Sequence, residues 1–259
     1  MSAFPWFSDL AEHLADGSLA LWVGGDVPQT LIGVPTCQAL AADLAQRYGL
    51  ATGLPLAEVA QRLARRGQRW EFTDFLQRTL GAADHGPQSW HALLASLPVS
   101  HFIATAYDDL LARALRAGSR PFDHLVQAGQ VALRTPRAVG LIQLYGWVAQ
   151  PDTLVVTEND HLQLWENAAK KALLDRVRHS GGASSADSGA RPDRSHVQAT
   201  VGQHPGPFRA LTPAAYAVAP GLSMAAQAVW EDRHIHILEA APLAVVERLH
   251  ELGNRPQSM

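Results

Sequence analysis

With 259 residues, 47% of them hydrophobic and 17% charged, the chain is long enough to bury a sizeable core as one large domain or two small ones. A formal charge of -3 removes the electrostatic case for nucleic acid or an anionic membrane surface. A single cysteine, Cys37, excludes an intrachain disulfide and a multi-cysteine zinc centre and points to a reducing cytoplasm.

Phe4 to Asp16 predicts an amphipathic lead helix, with Phe7, Leu10 and Leu14 at helical spacing and Gly17 to stop it. Asp9, Glu12 and Asp16 break the apolar pattern there, so the stretch does not read as a signal peptide. No apolar run approaches the roughly 18 residues of a membrane span. Leu19 to Val23 is apolar throughout, as in a strand buried on both faces of a parallel sheet. Gly24-Gly25, Pro28 and Gly33-Val34-Pro35 then punctuate a loop, and Thr36 caps a helix carrying Leu40, Leu44 and Tyr48. Strand, glycine turn and helix is the opening unit of a nucleotide-binding sheet, and equally a tight turn in any α/β domain.

Residues 54–97 carry three apolar stripes at helical spacing, and so predict a helical subdomain inserted after the first strand. Val99 to Thr105 is the second strand, and a helix follows over Leu110 to Ala117. Val131 to Arg134, Val139 to Leu144 and Thr153 to Val156 are further candidate strands, followed by a helix from Asp160 to about Arg178. The Gly, Ser, Ala, Pro and Asp of 179–207 predict a disordered or long surface loop. Ala214 to Val218 and Met224 to Trp230 return to order, and His234 to Leu238 reads as a strand. Leu243 to Leu252 is the final helix, so that 1–252 form one domain and 253–259 a tail.

His234 and His236 share one strand face, but no third ligand is placed, and no metal is expected. Arg62, Arg65, Arg66 and Arg69 form a small basic run, a solvated helix face or a contact for phosphate or a partner.

Four segments match one pattern in order: LWVGGDVPQ…GVPT (Leu21 to Thr36), FIATAYDDLLARAL (Phe102 to Leu115), IQLYGWV (Ile142 to Val148) and LVVTENDHLQL (Leu154 to Leu164). This resembles the SIR2-like domains of bacteria, relatives of sirtuins often found in anti-phage NAD-hydrolysing effectors. The resemblance implies an α/β fold with a Rossmann-like, mostly parallel sheet and a helical subdomain. It implies NAD at the carboxyl ends of the strands and cleavage of the nicotinamide–ribose bond, with an asparagine orienting water or ribose and a histidine as base. The cofactor-binding positions it marks are Gly24, Gly25, Asp26, Val27, Pro35 and Thr105. The catalytic positions are Ala106 and Tyr145, with Asp108 beside them.

The departures fall on the chemistry. The family's asparagine falls on Ala106, which has neither donor nor acceptor in its side chain, and its histidine on Tyr145, a poor base with an ordinary pKa of about 10. Its third glycine falls on Asp26, whose charge opposes a pyrophosphate, and its serine on Pro28. A further departure is structural: where the family pattern has a strand, the loop of 179–207 stands, so that either the strand is lost there or His196 to Val201 is its remnant. The expectation is a catalytically degenerate domain in the cytoplasm, with NAD or ADP-ribose binding weak or lost. Such a domain acts as a structural, nucleotide-sensing or partner-binding element, with a protein partner or a second copy, and without direct contact to nucleic acid or membrane. The alternative is an active NAD glycohydrolase in which Tyr145, Asp108, His101 or His161 replaces the usual pair. With one cysteine the zinc module of sirtuin deacylases is ruled out, so deacylation is not expected.

Overall fold

The computed structural model describes residues 6–15, 19–24, 33–81, 85–127, 129–130, 135, 138–166, 198–201, 215–218, 224, 227–228 and 235–253. Gly25, Asp26 and Val27 lie outside these residues, as do the expected strand at 131–134, most of 179–207, the later part of the expected 160–178 helix, and the tail beyond 253.

Seven strands form one parallel sheet: β1 (Ala20–Val23), β2 (His101–Ala104), β3 (Phe122–Leu125), β4 (Val139–Gln143), β5 (Gln198–Val201), β6 (Ala215–Val218) and β7 (Ile235–Leu238). Their spatial order is β3-β4-β2-β1-β5-β6-β7. The architecture is therefore α/β with a Rossmann-like parallel sheet, as the sequence predicts. β5 pairs with β1 in register Trp22↔Thr200, so residues 198–201, read from sequence as loop or strand remnant, are a ladder partner of the central strand. Two elements differ from expectation. Phe122–Leu125 is a strand, although Asp123 and His124 interrupt its apolar pattern. Thr153–Val156 is not a strand: Pro151–Thr153 form a 3-10 turn, and Val155 instead donates its amide to the Tyr145 carbonyl at 2.9 Å. Pro151 lacks the donor a ladder needs, and Asp152 and Thr153 favour a turn.

The helices among the described residues are α1 (Trp6–Ala15), α2 (Cys37–Arg47), α3 (Leu56–Arg65), α4 (Arg69–Leu80), α5 (Ser89–Ser96), α6 (Leu110–Ala117), α7 (Glu158–Glu166) and α8 (Pro242–Gly253). Alternate strand residues bury opposite faces of the sheet. Leu21, Val23, Phe102, Ala104 and Leu141 pack with Leu10 and Leu14 of α1, Trp90 and Leu94 of α5, and Val246 and Leu249 of α8. Ala20, Trp22, Ile103 and Ile142 pack with Leu144, Val155 and Leu164 on the other side. A second centre joins α2, α3 and α4 through Leu44, Val59, Leu63, Phe72 and Leu76 to Tyr107, Leu110 and Val156.

The chain runs outward from β1 to β2 and on to β3 at the edge, steps back to place β4 between β3 and β2, and then crosses to the other side of β1 for β5, β6 and β7. Reversal of direction at β1 makes its carboxyl end the switch point where open α/β sheets leave a crevice for ligands. Gly24 stands there.

Candidate functional site

Three turns converge on that crevice. The first leaves β1 at Gly24 and re-enters the described chain at Gly33, whose φ of 75° needs glycine. Thr36 accepts a hydrogen bond from the Ala39 amide at 3.2 Å and so caps α2, a contact of about 1 kcal/mol. The second turn follows β2. The Thr105 amide donates to the Val23 carbonyl at 3.1 Å and its hydroxyl donates to the same oxygen at 3.5 Å, which ties the turn to β1. The third follows β4, where the Tyr107 hydroxyl donates to the Val155 carbonyl at 3.0 Å and the Val148 amide to the Tyr107 carbonyl at 2.9 Å.

Between the first two turns lies a cavity of about 50 Å³. Gly24, Pro35, Ala106 and Asp108 line it, together with Trp90, His91, Asp109 and Gln143. Four of the sequence-predicted positions are thus brought together. Thr105 and Tyr145 are not in its wall. Thr105 is spent on β1, and the half-buried Tyr145 ring meets His161 edge-on at 4.8 Å between centroids. A pocket for a cofactor-sized ligand runs to about 300–1000 Å³. The cavity has to open before it can hold a dinucleotide.

The chemistry of the wall is particular. Asp108 Oδ1 accepts from the Leu110 amide at 3.0 Å, at the start of α6. Burial pushes its carboxyl above the usual range, Asp109 adds to the rise, and the Leu110 amide and His85 oppose it. The His91 Nδ1 accepts from the Gln88 amide at 3.1 Å, so the neutral ring carries its proton on Nε2, and burial pulls it down to about 4. Trp90 Nε1 is buried without a hydrogen-bond partner among the described residues.

Gln143 and His124 were missed from sequence. Buried Gln143 donates through Nε2 to the carbonyls of Ala106, at 3.1 Å, and Asp108. Its Oε1 therefore faces His124 Nε2 at 2.6 Å, and the histidine must be the donor. Burial lowers the His124 pKa, with the Gln143 bond and Asp109 opposing and Arg116 adding. The one signal available was a glutamine at the end of the apolar run VGLIQL.

On the far side of Tyr145, Asp160 accepts from both Arg69 nitrogens at 3.1 and 3.0 Å and from the amides of Val156 and Thr157. Burial raises the Asp160 pKa, but the Arg69 guanidinium and the two amides outweigh it and hold the carboxyl below its usual range. Burial lowers the His161 pKa, and neighbouring Asp160 opposes it. His101 opens β2 at the amino end of the sheet, away from the crevice, with its ring against Gly140. Among the described residues no group of three His, Cys, Asp or Glu side chains is placed to hold a metal, and no helix is long and apolar enough to cross a membrane.

A family model for the SIR2-like domain matches residues 100–238, more than half of the chain. The chain belongs to the SIR2-like domain family. No curated protein matches it. A solved structure described as a Sir2 homolog–NAD complex is 14% identical to this SIR2-like domain, with 93% of each chain covered and a TM-score of 0.49. The matched segment of the SIR2-like domain includes Thr105, Ala106, Asp108 and Tyr145 and stops at the end of β7.

Proposed function

We propose that this SIR2-like domain keeps the nucleotide-fold frame without the groups for glycosidic cleavage, and that it acts as a nucleotide-sensing or partner-binding element. The observation that carries the reading is the turn after β2. Ala106 presents a methyl group to the cavity, its carbonyl is occupied by Gln143, and Asp108 is turned to the Leu110 amide. Neither the Ala106 methyl group nor its occupied carbonyl can orient a ribose hydroxyl or take a proton from water, and one Asp108 oxygen is already engaged by the Leu110 amide. NAD or ADP-ribose then binds weakly or not at all. The resemblance to bacterial effectors suggests a cytoplasmic setting beside an active subunit in anti-phage defence. Incubation with NAD and assay of free nicotinamide gives no turnover on this reading. Turnover that vanishes in Tyr145→Phe overturns it. A thermal-shift series with NAD and ADP-ribose separates sensing from pure partner binding, since ligand at 100 times Kd adds about 2.7 kcal/mol of stability.

A second reading is favoured by the ring contact at 4.8 Å between Tyr145 and His161. In an active NAD glycohydrolase the C–N bond to nicotinamide breaks, water oxygen bonds to the ribose carbon, and the water proton passes to the neutral His161 imidazole. Nicotinamide release that is lost in His161→Ala, with folding intact, supports this reading. Absence of release with the partner present rejects it.

A further inference from the structure

Beside the cavity, and sharing Leu80 and Asp109 with it, lies a larger groove of about 440 Å³. Its walls are the end of α4 (Gln77, Gly81), one face of α6 (Asp109, Arg113) and the segment 147–149 that follows the third turn. Asp109 and Arg113 are one helical turn apart, a spacing at which opposite charges ordinarily pair. Here they do not. The Asp109 carboxylate makes no hydrogen bond or ion pair to any described residue, and Arg113 gives one nitrogen to the His85 carbonyl. Trp147 is half-buried and fixed in place: its amide donates to Thr153 Oγ1 at 3.1 Å, and its ring leans on His124 at 5.1 Å.

We infer that this groove, which adjoins the cavity and shares Asp109 with it, is a binding site for a ribonucleoside monophosphate; the inference does not rest on the reading given above for the cavity. Three groups read three parts of such a ligand. A carboxylate accepts both hydroxyls of a ribose diol. A guanidinium pairs with phosphate in a forked geometry. An indole face offers a stacking platform to any base. The volume lies within the range of small-molecule sites and suits one nucleotide rather than two.

Calorimetry of the full chain with AMP tests the site. AMP is expected to bind, 2′-deoxy-AMP and adenosine to bind about tenfold or more weakly, and Asp109→Asn and Arg113→Gln each to lose a similar factor with an unchanged circular dichroism spectrum. In Asp109→Asn the preference for AMP over 2′-deoxy-AMP disappears, and in Arg113→Gln the preference over adenosine disappears. A merely structural role for either residue does not produce that split. No AMP binding, binding indifferent to both substitutions, or ADP-ribose bound more than tenfold tighter than AMP overturns the inference. Because the readout is AMP affinity, an NAD assay that fails or succeeds at the cavity leaves it standing.

Discussion

The turns after β2 and β4 leave the sheet side by side, and their side chains are put to different use. After β2, residues 105–109 are held by backbone: the Thr105 amide on Val23, and the Ala106 and Asp108 carbonyls on Gln143. After β4, residues 144–161 add side-chain contacts to backbone bonds such as the Val155 amide on Tyr145: the Tyr145 ring meets His161, and Asp160 is clamped by Arg69. The first turn carries no side-chain donor or acceptor at Ala106, and a glutamine on the neighbouring strand supplies its restraint. The second has a tyrosine and a histidine in contact, and its path depends on an ion pair. A fold can thus preserve the shape of a site by contacts that take no part in its chemistry.

The comparison breaks most sharply at Gly146. Its φ is 84°, and a Cβ there would strike the Thr153 backbone, so Gly146→Ala costs about 3 kcal/mol or more by denaturant unfolding and displaces Tyr145 from His161. Gln143→Leu comes next. It leaves two carbonyls and the His124 donor unpaired, and is expected to cost about 3 kcal/mol and to loosen the turn after β2 while the Tyr145–His161 contact persists. Hydrogen exchange at Leu110 and Val155 reads the two turns separately.

Asp160→Asn follows at about 2 kcal/mol. The folded carboxyl sits below its unfolded pKa, so its contribution is present above the unfolded value and fades as pH falls through the folded one. The gap between wild type and variant therefore closes in acid. Asp108→Asn is the smallest effect and has the opposite sign. Burial raises the folded Asp108 pKa, so the ionised carboxylate carries a penalty that is full above the folded pKa and gone below the unfolded one. The amide keeps the acceptor for Leu110 and is expected to raise Tm at pH 7, a gain that vanishes near pH 4, close to the ordinary carboxylate value.

The apolar runs at Leu19–Val23, Val99–Thr105 and Val139–Leu144 made the central strands readable, because a strand buried on both faces admits few polar residues. Phe122–Leu125 was hidden for the converse reason: it is the edge strand beyond β4, and its Asp123 bonds Thr135. Residues 153–156 are apolar enough to imitate a strand, but they serve as a brace under Tyr145. Motif order singled out Gly24, Pro35, Ala106 and Asp108, and the fold brings these four to one cavity wall. The Gln143–His124 relay and the Asp109–Arg113–Trp147 groove were not legible, because they join residues far apart in the chain whose individual patterns are ordinary.

The pairing of β1 has one more consequence, for the order in which the molecule is built. Its two neighbours begin at His101 and Gln198. A chain emerging from the ribosome can complete α2 to α4 from local contacts, but the central strand keeps one raw edge until residue 201 has been synthesised. Non-local parallel pairing of this kind is slow and exposes the nascent sheet to wrong partners. The helical block between β1 and β2 can collapse early beside that edge. Residues 198–201, in the least apolar part of the chain, are the ones that close the middle of the fold.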